Sequence, residues 1–126
     1  MTPHHPIDTP EAPLPIGPYS QAMVCNGLLY TSGQIALTPD GQLNNHTIED
    51  EVAQVLANLT AVLAAAHTDW GHVIKTTVYL TDMAYFDTFN TQYMQLVSVL
   101  PARTTIQVAG LPKGARIEVE LVARIP

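Results

Sequence analysis

Charge is scarce in this chain. Of 126 residues, five are Lys or Arg and eleven are Asp or Glu, so the formal net charge is −6 and the charged fraction 13%. Five cations cannot lay down the basic stripe that nucleic-acid binding needs, nor a patch for an anionic membrane, and nucleic acid is a disfavoured partner. A single cysteine, Cys25, excludes an internal disulfide and agrees with a reducing compartment. No run of eighteen apolar residues occurs, so no spanning helix is expected. The opening MTPHHPIDTPEAPLP has no basic-then-apolar leader pattern and reads as a loosely structured, Pro-rich lead-in over 1–15. The expected location is the cytoplasm. Five histidines (His4, His5, His46, His67, His72) show no i,i+4 pair and no acid at zinc-site spacing, which argues against a metal site. A Gly-rich phosphate loop and a Gly-x-Ser-x-Gly elbow are both missing. So little charge leaves little of the surface as a repelling coat, and part of it is expected to be covered by another subunit.

What is present organises as one domain, the prior for this length. YSQAMVC (19–25) runs into Asn26-Gly27 and then LLYTSGQI (28–35). Asn-Gly between apolar runs signals a hairpin, because both central turn residues need positive φ. Thr47 and Asp50 suggest a capping box. Behind it Ile48, Val52, Val55, Leu56, Leu59, Val62 and Leu63 form a helical stripe to about Ala66, with HTDWG ending it and Gly71 as the stop. VIKTTVYL (73–80) is β-branched and short, a strand. Thr81-Asp82 offers an N-cap to a second helix with Phe86, Phe89, Tyr93, Leu96 and Val97 on its apolar side, closed by Pro101. The order is β-β-α-β-α-β-β: an α+β fold with one mixed sheet, two helices sharing one of its faces, and antiparallel first and last hairpins.

The last pair comes from PARTTIQVAGLPKGARIEVE (101–120), which holds three of the five cations. Ile106 and Val108 alternate with Thr105 and Gln107; Ile117, Val119, Leu121 and Ala123 alternate with Glu118 and Glu120. Turning both apolar sets toward the helices puts Arg103, Thr105 and Gln107 on the opposite face with Glu118, Glu120, Tyr30 and Tyr19. That face is either solvated or packed by another copy. Bland readings stand beside it: Arg103 with a Glu as a cross-strand ion pair, Asn90 as a buried amide, Tyr19 as a strand start, and Ser32-Gly33-Gln34 as a β-bulge.

The blocks IGPYSQA (16–22), LLYTSGQI (28–35), VIKTTVYLTDM (73–83), FNTQY (89–93) and PARTTIQVAGLPKGARIEVE resemble, in order, those of the Rid/YjgF family of reactive enamine and imine deaminases. The resemblance spans about Gly17 to Ile125. It implies a chorismate-mutase-like fold, a homotrimer with clefts between subunits, and hydrolysis of 2-aminoacrylate or 2-iminobutanoate to a 2-keto acid and ammonia, with no metal or organic cofactor. It implies that Arg103 binds the carboxylate, that Glu118 orients water, and that Tyr19, Ser32, Gly33 and Asn90 complete the pocket. Thr105 stands where a cysteine often occurs. The family also includes proteins described as ribonucleases, translation inhibitors and ligand-sensing binders. Retention of Glu118 favours catalysis over binding alone.

Overall fold

The computed structural model describes residues 3–126. Six strands form one sheet: β1 (His5–Ile7), β2 (Ala22–Cys25), β3 (Leu28–Thr31), β4 (Val73–Leu80), β5 (Ala102–Gln107) and β6 (Ile117–Arg124). Two α-helices, α1 (Ile48–Ala65) and α2 (Phe86–Leu96), complete it. The spatial order is β1-β2-β3-β6-β4-β5, antiparallel throughout except for β4 with β5. Among the described residues no helix is long and apolar enough to cross a membrane.

Local signals account for much of this. Asn26 and Gly27 take φ of 53° and 75° in the β2–β3 turn. The Thr47 side chain accepts the Asp50 N–H at 3.0 Å, satisfying a free donor at the start of α1. At its other end, His67 turns left-handed at φ 61°, and the Thr68 N–H reaches the Leu63 carbonyl at 3.0 Å. The stop is thus His67, four residues before Gly71. Asp82 caps a short 3-10 turn (Met83–Tyr85) that leads into α2. Val52, Val55, Leu59 and Val62 of α1 and Phe89 and Tyr93 of α2 are buried against Val78, Leu80, Ile117, Val119 and Leu121. Leu96, expected on the apolar side of α2, is 40% exposed, and Val97 is buried just beyond it.

Four expectations are corrected. The lead-in supplies the edge strand β1, which pairs with β2 from His5↔Val24 to Ile7↔Ala22. The strand beginning at Leu28 stops at Thr31 and rejoins the sheet only at Gln34, which exchanges backbone hydrogen bonds with Val119. The last two strands are no hairpin: β4 lies between them. β4, α2 and β5 instead make a crossover between parallel strands, the connection that parallel pairing requires.

The fourth correction follows from that topology. In the parallel register Arg103 lies beside Thr76, Thr105 beside Val78 and Gln107 beside Leu80. Thr76, Val78 and Leu80 are buried on the helix side. Arg103, Thr105 and Gln107 therefore share the helix side, and Thr104 and Ile106 lie on the open face with Tyr79, Glu118 and Glu120. Apolar alternation misleads at β5 because Ile106, the apolar residue meant for the core, is 42% exposed on the open face. An apolar position identifies the core only when the chain's own core is all that covers it.

Candidate active site

Glu118 projects from the open face of β6 over the break after β3. The break exists to admit it: a Cβ on Gly33 would lie 2.7 Å from the Glu118 carboxyl carbon and from Oε2. Only glycine allows that approach. Thr31 mends the interrupted ladder by accepting the Leu121 N–H on its hydroxyl at 3.0 Å. Ser32 donates its hydroxyl to the Ser20 carbonyl at 2.6 Å, holding the break against the chain that bears Tyr19. Tyr19, Ser32, Gly33, Pro112 and Glu118 line one open cleft of about 250 Å³. Burial, and the neighbouring Glu120 charge second, push the Glu118 carboxyl above its ordinary range. Glu120 accepts a hydrogen bond from Tyr79 Oη. That bond, more than burial, pushes the Tyr79 phenol up to about 12, so it remains a donor.

Arg103 occupies a second setting, at the far side of β4. Its guanidinium lies over Phe86, Phe89 and Tyr93, with the central carbon 5.4, 5.4 and 5.2 Å from the ring centroids. The η2 nitrogen donates to Asn90 Oδ1 at 2.6 Å and Nε to Thr105 Oγ1 at 2.9 Å. Tyr93 is fixed in turn by a 2.9 Å bond between its hydroxyl and that of Thr76. Burial pushes the Tyr93 phenol up, while the Thr76 bond and the Arg103 charge pull it back. Burial pulls the Arg103 guanidinium below its ordinary value, though arginine stays charged in proteins. Among the described residues no carboxylate comes within ion-pair distance of it: the pairs found are Arg116–Glu51 and His72–Asp69.

The seven site residues expected from sequence thus fall into two groups. Tyr19, Ser32, Gly33 and Glu118 come together, and so do Arg103, Asn90 and Thr105. Within one chain the groups lie on opposite faces of the sheet with β4 between their strands, so the Arg103–Glu118 cross-strand pair does not form. Among the described residues no three His, Cys, Asp or Glu side chains converge as a metal would require.

Two structural groups escaped the sequence reading. Glu51, fully buried on α1, accepts from the Arg116 N–H at 2.7 Å, Arg116 Nε at 2.8 Å and the Ile117 N–H at 3.2 Å. It anchors the start of β6, one residue before Glu118. Gln21, equally buried, ties down the lead-in. Neither carries a local signal: Glu51 follows Glu49 and Asp50 in a first helical turn, where acids are commonplace.

Comparison with known proteins shows which chains this one is similar to. A family model described as Endoribonuclease L-PSP matches residues 9–125. The human 2-iminobutanoate/2-iminopropanoate deaminase is 48% identical over 119 residues, 93% of this chain and 87% of that one. A RutC family protein of Synechocystis is 44% identical over 124 residues, 95% of each chain. Among solved structures, Escherichia coli TdcF with bound serine superposes with a TM-score of 0.89 at 35% identity, covering 95% of this chain and 98% of that one. On the family match and these near full-length likenesses, the chain belongs to the Rid/YjgF family.

Proposed function

We propose that the protein hydrolyses small enamine or imine acids, such as 2-aminoacrylate and 2-iminobutanoate, to a 2-keto acid and ammonia. The observation that carries this reading is Arg103: a guanidinium seated on three aromatic rings, held at two nitrogens by neutral partners, with no carboxylate beside it among the described residues. Such a group is an anion receptor, and its planar fork matches a carboxylate. The serine named with TdcF has a carboxylate and an α-nitrogen, as the proposed substrates do.

Arg103 and Glu118 can act on one small molecule only if they come from different copies of the chain. Arg103, Asn90 and Thr105 of one copy face Tyr19, Ser32, Gly33 and Glu118 of its neighbour, in a cleft repeated around a homotrimer. The open sheet face, with Tyr30 and Ile106 exposed at 44% and 42%, is the surface that assembly would cover. Light scattering at micromolar concentration should give the trimer mass; a stable monomer would end this part of the proposal.

In that cleft Arg103 anchors the carboxylate and the protonated imine carbon is the electrophile. Glu118, as carboxylate, takes a proton from water as its oxygen bonds to that carbon, giving the neutral carbinolamine. Glu118 returns the proton to nitrogen, the C–N bond breaks, and the hydroxyl loses its proton to water as the carbonyl forms. The ammonia released takes up the proton given to water, so the balance is iminium acid plus water to keto acid plus ammonium. A carboxyl held above its ordinary range is a stronger base than a free one, which suits a group that takes a proton from water and returns it to nitrogen. Tyr19 covers the substrate, and the Gly33 N–H adds a donor to the carboxylate.

Turnover is tested by generating the imine with a pyridoxal-phosphate threonine dehydratase and following keto-acid formation with and without the protein. Acceleration that survives a chelator is expected, and no acceleration would refute the reading. The serine-bound relative also favours a sensor of small carboxylates without turnover. The two readings part at Glu118, which a sensor does not need.

A further inference from the structure

Gln21 has no part in the chemistry above, yet only 2% of it is exposed. Its amide oxygen accepts the Thr9 N–H at 2.8 Å, and its amide nitrogen donates to the carbonyls of Thr9 at 3.0 Å and Pro13 at 3.0 Å, reaching Ala12 at 3.4 Å. Bonding both polar groups of Thr9 imitates a rung of a β-ladder. The side chain thereby continues the pairing of the lead-in beyond Ile7, where β1 ends. A buried amide this fully engaged fixes one arrangement of the chain around it.

That chain is the bed of Tyr19. Pro13, held by Gln21, opens the strap 13–17. The Ile16 N–H of the strap donates to Tyr19 Oη at 3.3 Å, and the Tyr19 N–H donates to the Gly17 carbonyl at 2.8 Å. A Cβ on Gly17 would stand 3.2 Å from Tyr19 Cε2, so the ring lies directly against the strap. On the other side, the Gln21 carbonyl accepts the Ser32 N–H at 2.9 Å. One residue thus joins the strap under Tyr19 to the break that carries Gly33 and receives Glu118.

We propose that Gln21 is a positioning residue of the cleft, its side-chain amide holding the 13–17 strap so that Tyr19 stands at a fixed place relative to Gly33 and Glu118. The proposal rests on the reading of Tyr19 as the group that covers the substrate. Gln21→Met keeps the length of the side chain and removes its hydrogen bonds. Gln21→Glu, which when protonated can still donate one bond and accept another, is the milder change should Gln21→Met fail to fold.

The experiment has two arms. Amide hydrogen exchange should speed up at Thr9 and Ile16 in the variant, with the protection of β4 and β6 unchanged. In the imine assay, kcat/KM should fall about ten-fold, the order of one misplaced hydrogen bond. Tyr19→Ala should then cost far less in the variant than in the parent protein, because the two changes act through one group. Additive costs in a folded protein would overturn the proposal, since a merely structural Gln21 would weaken every variant alike. Unchanged exchange at Ile16 would overturn it independently. If the parent protein showed no imine hydrolysis, the proposed function would fall and the exchange arm would still decide whether Gln21 holds the strap.

Discussion

The two halves of the candidate site are built in opposite ways. Around Glu118 the backbone makes the site. A strand is broken, a glycine vacates the space a Cβ would fill, and a carboxyl settles there beside a second carboxylate. Around Arg103 side chains make it: three aromatic rings below, an amide and a hydroxyl at the nitrogens. The first half is acidic and the second cationic; in the proposed function the first handles protons and the second receives the anion. Neither neutralises the other within the chain. Separated charges of opposite sign, each part-buried and unpaired, are costly to maintain, and a ligand between two copies would offset part of that cost.

The comparison is broken most severely at Arg103. Arg103→Ala removes the fork and should lower kcat/KM by roughly 10³-fold, the effect of two charge-assisted bonds. Arg103→Lys keeps the charge on a point donor and should still lose much of that. Binding of 2-keto acids, followed by calorimetry, should weaken in both. Glu118→Gln keeps the shape and removes the proton acceptor. It should lower kcat by about 10²-fold or more while keto-acid binding changes little. A drop in binding as large as that of Arg103→Ala would mean that Glu118 is no separate half.

Gly33→Ala sharpens the contrast. The new Cβ meets the mobile end of the Glu118 side chain, so the carboxyl moves rather than the backbone. The expected result is about a ten-fold loss in kcat, comparable to a misplaced catalytic group, with a melting temperature near that of the parent. A large drop in melting temperature would show that Gly33 serves the fold instead.

The smallest effect is on stability. The folded protein holds a proton on Glu118 more tightly than the unfolded chain does, because burial raises its carboxyl above the ordinary value of 4.5. Between 4.5 and the raised value the folded state binds more protons, so stability falls as pH rises through that window. Above the window the whole penalty is present. Glu118→Gln should flatten this part of the stability curve and slightly raise the melting temperature at neutral pH, as removal of a poised site group often does. The rate should fall as pH drops through the same raised value. A rate that stayed flat there would remove Glu118 as the base.

Much of this was legible because its causes are local. The Asn26-Gly27 turn, the Thr47 cap, the α1 stripe and the alternation of Ile117, Val119 and Leu121 each depend on neighbours within a few residues. β5 was misplaced because its neighbour is not its successor. β4 enters between β5 and β6, and a tight loop in sequence does not reveal it. Its facing was misread for a related reason, since Ile106 is apolar yet turned away from the core. The resemblance named seven site residues as one pocket, and the fold divides them between two groups with β4 between their strands. What the sequence reading could not supply was the face each group occupies. Gln21 and Glu51 were invisible for want of any local pattern: their partners are set by folding, and the Glu51–Arg116 bond spans 65 positions.

The central claim is that one active cleft draws its two halves from two copies. Mixing two inactive variants tests it most directly. Arg103→Ala and Glu118→Gln proteins are unfolded together in equal amounts, refolded, and assayed for imine hydrolysis. Random assembly should place an intact Arg103 against an intact Glu118 in about one cleft in four of a symmetric ring. Activity should therefore return to about a quarter of the parent value, although neither variant has it alone. A mixture as inactive as its components, in refolded trimers shown to contain both chains, would contradict the claim.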